Sequence, residues 1–269
     1  MVVNEVHPAK WKYHCHRYET QCVRERMMSV QGKLTKELMG PNLPVDMPAV
    51  NPAAVFFKEV RMLRFDYITH PEIAALVIPS QFSLADDAIA TFTVLEYGFS
   101  LVGPYREAIL NVTVLYRDMP YSYSVQLMLN SALPTMGGRE NGIPKKVGFV
   151  DITQFEDTIV GYVERPKGER LATGILRIDQ PIEPCPEEMP GSTILLRPVV
   201  YPDKPVQMDL IRADAVWKPT KVHAATGSCS FTGISVVDPW HTIPVKEMLA
   251  ASYHEGELHF TGGETLETF

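Results

Sequence analysis

The stretch GGRENGIPKK, residues 137–146, sets two lysines side by side, after a proline and before the apolar run VGFVDI. A protonated lysine cannot attack a carbonyl, because its lone pair is already bonded to hydrogen. It becomes a nucleophile when its pKa falls towards neutrality, and desolvation in an apolar pocket or a nearby positive charge brings this about. Lys145 and Lys146 supply like charge by adjacency, and Ile143, Pro144, Val147, Phe149 and Val150 supply apolar surroundings. If 145–150 is extended, the two side chains leave on opposite faces. One lysine can then enter a pocket while the other faces elsewhere, which gives desolvation the larger share of any activation. The ordinary explanation of a lysine pair is a solvated loop, since lysine is rarely fully buried. Something more specific than composition is needed to displace it.

Other chemistries find little in the pattern. The glycine-rich stretch lacks the Gly-Lys-Ser/Thr order of a phosphate loop, and no dinucleotide fingerprint, Gly-x-Ser-x-Gly elbow or His-Glu-x-x-His is present. HCHRYETQC, residues 14–22, brings His14, Cys15, His16 and Cys22 together. Their spacing fits no zinc template, because adjacent residues do not all turn to one ion. A peripheral helical arm without metal is expected there. Cysteines at 15, 22, 185 and 229 are irregularly spaced and read as reduced thiols. Cys229 reads as a small core residue, and His223 and His241 as structural histidines.

Composition narrows the classes. The chain has 269 residues, 45% hydrophobic and 21% charged, which fits a soluble globular protein. A formal net charge of −7 argues against nucleic acid, whose phosphates call for a basic face. No apolar run approaches a membrane span, and the first twenty residues lack the apolar core of a secretory signal. A cytoplasmic, enzyme-like domain is the expectation.

The elements that must hold the lysines read mostly as strands. VRMLRFDYI (60–68) and ATFTVLEYGFSLV (90–102) are strand candidates, with a short helix at HPEIAALVI (70–78) between them. REAILNVTVLYRD (106–118) and YSYSVQLMLNS (121–131) read as a hairpin joined by Met119-Pro120. DTIVGYVER (157–165) and ERLATGILRID (169–179) read as another around Pro166-Lys167-Gly168. Strands at 192–200, 206–218 and 221–236 continue the pattern, and IPVKEMLAASYH (243–254) has helical spacing. The fold class expected is mainly β (α+β). A curled antiparallel sheet would form a β-cone or barrel with a few peripheral helices. Residues 1–27 would form an N-terminal arm and 28–269 one domain, with 40–54 a proline-rich extended lead-in.

GGRENGIPKKVGF resembles the active-site segment of the acetoacetate decarboxylase family: Gly-Arg-Glu, a few variable residues, then Phe/Ile-Pro-Lys-Lys. The matching positions here are Gly138-Arg139-Glu140 and Ile143-Pro144-Lys145-Lys146. YREAIL (105–110) resembles the segment carrying an active-site glutamate, and DPWHTIPVKEMLAASY (238–253) the closing segment. The resemblance covers roughly 28–269. It implies a cone or barrel of antiparallel strands with the pocket inside, no cofactor, and a homo-oligomer. It also implies that Lys145 forms a Schiff base with a ketone, with Lys146 as its neighbour. That mechanism comes from the resemblance, not from the spacing.

By the same resemblance Glu107 is the pocket carboxylate that orients substrate or moves protons; its ordinary explanation is a strand-end charge paired with Arg106. Arg139 and Glu140 would form a structural ion pair, and Gly138 and Gly142 the loop's turns. The chain departs from the family where a second pocket glutamate is expected. Phe92 or Thr93 stands there, and Glu96, sharing a face with Phe92 and Val94, is the possible substitute. The family's early arginine falls near Arg61 and Arg64, with Val60 at the ungapped position. The implied function is decarboxylation of a small-molecule β-keto acid, with larger substrates than acetoacetate admitted. The alternatives are aldolase or dehydratase chemistry on 2-oxo acids through the same lysine, and a non-catalytic small-ligand binding protein on the same fold.

Overall fold

The computed structural model describes residues 31–40, 42–48, 55–183 and 185–269. Two compact units are present, Met1–Met39 and Gly40–Phe269. Among the described residues of the first, Lys36–Leu38 forms one 3-10 turn. The expected boundary at 27/28 and the His/Cys stretch at 14–22 lie outside the described residues. No helix among the described residues is long and apolar enough to cross a membrane.

The second unit is built on one sheet. Its first strands are β1 (Phe56–Ile68), β2 (Ile89–Ser100), β3 (Tyr105–Tyr116) and β4 (Met119–Leu129). β5 (Lys145–Val147), β6 (Phe149–Phe155), β7 (Thr158–Glu164) and β8 (Arg170–Pro181) follow. β9 (Met189–Val199), β10 (Gln207–Ser230) and β11 (Glu247–Thr268) complete it. Two α-helices occur among the described residues, α1 (Pro71–Ala74) and α2 (Ala132–Glu140). The order β11-β1-β2-β3-β4-β9-β10 closes through a β10–β11 pairing, so these strands form a ring. β8, β7 and β6 extend the sheet beyond β10. The mainly β, curled and mostly antiparallel architecture expected from the alternation is the one observed, with parallel pairings at β4–β5 and β4–β9.

Alternation explains the packing. In β1, Leu63, Phe65 and Tyr67 are buried at every second position and join Phe92, Val94, Leu110 and Trp240 in the larger core. Each such large side chain contributes about 1.5–3 kcal/mol on burial. A second cluster (Phe57, Leu95, Tyr97, Tyr105, Leu127, Leu129 and Trp217) lies on the other face of the same strands. The sheet is therefore apolar on both sides where β1 to β4 run, and the second cluster surrounds the site described below.

Three parts of the sheet differ from the sequence reading. The β3–β4 hairpin turns at Arg117-Asp118, both with positive φ (51° and 64°), and Met119-Pro120 begins β4. Two positive φ values are what a tight hairpin turn requires. The segments 206–218 and 221–236 form one strand to Ser230. Its register shift between Pro219 and Lys221 accommodates a proline that cannot donate to the ladder. Finally, 247–254 is strand, not helix. β11 pairs with β1 on one side and β10 on the other, so its backbone groups are satisfied across strands. Long-range pairing overrides the helical spacing of its apolar residues.

Candidate active site

Lys145 is placed by three residues of extended chain. β5 pairs parallel with β4, setting Lys145 beside Leu127 and Lys146 beside Met128. The ladder continues as Thr93–Ile109–Leu127–Lys145, so these four share a face. Lys145 is buried and Lys146 only half-buried, as the two-residue period demands. The glycine-rich segment before them is not the expected loop. α2 runs through Gly137 and Gly138, at a propensity cost of about 1 kcal/mol for each glycine. The reason is close approach: a Cβ on Gly138 would stand 2.4 Å from Lys145 Cδ and 2.6 Å from Cε. The lysine stem occupies the space where a side chain would be. Gly142 follows with φ +84°, and its N–H and that of Ile143 bond back to the carbonyls of Arg139 and Gly138. That left-handed glycine closes the helix and turns the chain into β5.

Glu107 is the partner. It lies in β3 opposite Leu95 and Leu129. Lys145 Nζ is 3.2 Å from Glu107 Oε2, and the side chains are only 9% and 4% exposed. Removing one member of so buried a pair would strand the other charge, at about 3–5 kcal/mol. Tyr105, two residues earlier on the same face, places its ring centroid 5.7 Å from Nζ, and Tyr97 lies 4.7 Å from Tyr105, ring to ring. Burial, and then the Glu107 charge, push both phenols well above their ordinary pKa. Both remain protonated at neutral pH and can donate a hydrogen bond.

Of these groups Lys145 and Tyr105 line a cavity of about 730 Å³. Its wall is largely apolar and drawn from several strands of the ring: Phe57, Tyr105, Leu195, Ile211 and Phe260, with Ile143 from the loop. The charged residues in the lining are Lys145, Arg197 and Glu264. Arg197 donates to Asp209 at 2.8 Å, and its Nε is buried without a partner. Among the described residues, no group of three or more His, Cys, Asp or Glu side chains converges as metal ligands would.

The other expected residues lie elsewhere. Lys146 donates to the Val237 carbonyl and to Asp238 Oδ1 (3.1 Å), which also takes Arg165 at 2.9 Å. Its charge is thus paired away from Lys145. Glu96 shares the Phe92–Val94 face, as expected, but Leu95, not Glu96, is the residue opposite Glu107. Glu96 is clamped by Arg61 (2.7 Å) and Arg106 (2.6 Å). Against burial, which raises it, the Arg61 and Arg106 hydrogen bonds hold the Glu96 carboxyl below its ordinary pKa. Arg61 and Glu96 therefore form a separate cluster and do not line the cavity. Arg64 pairs with Asp66. Arg139 and Glu140 are both exposed, and the ion pair expected between them is not formed. Adjacent helical residues do not face one another.

Three residues went unread. Tyr105 was legible as the same-face neighbour of Glu107 in YREAIL. Asp238 stands in DPWHT, but nothing local tells that it receives Lys146. Arg197 reaches the cavity from β9, far in sequence from Arg61 and Arg64, where an arginine was sought.

The fold agrees with comparisons to known proteins. A family model, "Acetoacetate decarboxylase (ADC)", matches residues 42–268. The chain is 28% identical over 242 residues to "Decarboxylase DEC1" of Cochliobolus heterostrophus, spanning 85% of this chain and 95% of that one. The crystal structure of acetoacetate decarboxylase from Legionella pneumophila superposes with a TM-score of 0.77 at 18% identity, over 90% of this chain and 98% of that one. MppR, an enduracididine biosynthesis enzyme complexed with the condensation product of pyruvate and imidazole 4-carboxaldehyde, superposes with a TM-score of 0.69 at 16% identity, over 85% and 96%. At those identities the superpositions speak for the fold alone, while the family match spans most of the chain. The protein with the buried Lys145–Glu107 pair is thus a member of the acetoacetate decarboxylase family.

Proposed function

We propose that the protein decarboxylates a β-keto acid through a Schiff base on Lys145. The observation that carries this reading is a lysine amine buried beside a carboxylate at the wall of a largely apolar cavity. Lys145 Nζ, having passed a proton to Glu107, attacks the keto carbon, and water leaves as the protonated imine forms. The bond from the α-carbon to the carboxylate then breaks. Its electron pair moves into the imine, CO2 departs, and an enamine remains. Protonation at carbon and hydrolysis by water release the ketone and restore the amine. Iminium and carboxylate charges vanish together in the bond-breaking step, and an apolar surrounding favours that loss of charge. Glu107 moves the protons, and Tyr105 donates a hydrogen bond to the substrate oxygen or to Glu107.

The test is product analysis. A β-keto acid labelled in its carboxylate should yield labelled CO2 and an equal amount of ketone with the wild type and none above background with Lys145→Ala. The likeness to MppR favours one competing reading, aldol condensation and dehydration of a 2-oxo acid on the same lysine. Condensed product with the carboxylate retained, and no CO2, would replace the decarboxylase with that enzyme. An inert but ligand-binding protein would turn the reading to a binding protein.

A further inference from the structure

The cavity is much larger than the bond-breaking chemistry needs. Acetoacetate has seven non-hydrogen atoms. At about 30 Å³ each, the share of a water molecule in the liquid, they take up roughly 200 Å³, against a cavity of about 730 Å³. The remainder lies along β9, β10 and β11. Ile211 sits between Leu195 and Thr265 in one cross-strand row, and Ala213 sits opposite Gly263 in the next. Ile211 and Ala213, two apart in β10, both line the cavity, so this face of the strand is its wall. Ala213 and Gly263 contribute almost no bulk, which keeps that end open.

Polar side chains in the lining include Ser100, Asn141, Thr261, Glu264 and Thr265, besides Lys145 and Arg197, while Leu195, Ile211 and Ala213 form an apolar stretch on β9 and β10. Lys145 and the unpartnered Nε of Arg197 lie at the Gly142 end, since the Cβ position of Gly142 is 3.1 Å from Arg197 Cβ. Glu264 pairs with Arg212 at 3.2 Å, a guanidinium shared with Asp214 at 3.1 Å. Leu101 and Phe260, also in the lining, remain 57% and 37% exposed.

We infer that the substrate class is a β-keto acid carrying an extended apolar acyl chain of roughly eight carbons or more, the chain lying against Leu195, Ile211 and Ala213. The inference rests on the Schiff-base reading above. The reaction is R–CO–CH2–COO⁻ plus a proton giving R–CO–CH3 plus CO2, so the product is a long-chain methyl ketone.

The test is a series of straight-chain 3-oxo acids with four, six, eight and twelve carbons, measured as CO2 release above the uncatalysed rate. Each buried methylene should raise kcat/KM about fourfold, or more than 100-fold between four and eight carbons. Ala213→Phe should lower the ratio of kcat/KM for the twelve-carbon acid to that for acetoacetate at least tenfold; a ratio is insensitive to the fraction of folded variant. A flat or falling series with acetoacetate turned over would overturn the inference and leave the Lys145 reading intact. An unchanged ratio in Ala213→Phe would overturn the placement of the chain. No CO2 at any length, together with no borohydride-trapped adduct, would overturn the inference and the Lys145 reading together.

Discussion

Gly138→Ala separates position from stability. The new Cβ would stand 2.4 Å from Lys145 Cδ and 2.6 Å from Cε, where ordinary contact begins near 3.4 Å. The lysine stem must therefore give way by about 1 Å, the difference between those distances. It is the flexible end of a side chain, so yielding costs little folding energy. Alanine inside a helix is moreover favoured over glycine by about 1 kcal/mol. Nζ, however, leaves its place 3.2 Å from Glu107. A misplacement of about 1 Å costs roughly 100-fold in rate, or about 2.7 kcal/mol of barrier. The buried Lys145–Glu107 pair is stretched rather than removed, which offsets the helix gain of about 1 kcal/mol, so the expected variant stays folded in urea and traps ketone under borohydride about 100-fold more slowly. Wild-type trapping in a folded Gly138→Ala protein would refute the argument that this glycine exists to seat Lys145.

Other perturbations probe the surroundings. Glu107→Gln keeps shape but removes the proton acceptor, and kcat should fall 10²- to 10⁴-fold in steady-state assays; a loss under threefold would remove Glu107 from the chemistry. Lys146→Met should cost about 1 kcal/mol of stability, because a half-exposed ion pair with Asp238 is lost. Its kcat/KM should change less than tenfold; a 100-fold loss would restore a charge-adjacency role to Lys146. His254 is buried, and burial, with Arg64 second, lowers its pKa to about 4. The unfolded chain takes up that proton near pH 6.5 while the folded one does not. Stability should therefore fall as pH drops through 6.5 towards 4, by about 2 kcal/mol at pH 5 relative to pH 8. His254→Gln should flatten that part of the urea-denaturation profile, and an unchanged slope would contradict the assignment.

Much of the site was legible because it needs only local geometry. That Lys145 and Lys146 part to opposite faces follows from any extended backbone. The face shared by Glu96, Phe92 and Val94 follows from the same period. Which of those faces holds Lys145 was not legible, because that depends on the β4–β5 register, which pairs Leu127 with Lys145 across a helix and a turn. Hence Glu96 was a candidate until the ladder placed Leu95 opposite Glu107. The glycines of α2 read as a loop because their purpose, room for a lysine stem, is a tertiary contact. IPVKEMLAASYH read as a helix for a related reason: its spacing is helical, but β1 and β10 supply hydrogen-bond partners on both sides. The strands, by contrast, announced themselves through alternation, which survives folding unchanged.

Every step of the proposed reaction depends on Lys145 as the nucleophile. The direct measurement is borohydride reduction in the presence of a panel of β-keto and 2-oxo acids, with the adduct mapped by mass spectrometry beside Lys145→Ala. If Lys145 holds that role, one adduct forms, on Lys145, absent from the variant and carrying a ketone fragment that has lost its carboxylate. An adduct on another lysine, or none from folded protein with any of these acids, would contradict it.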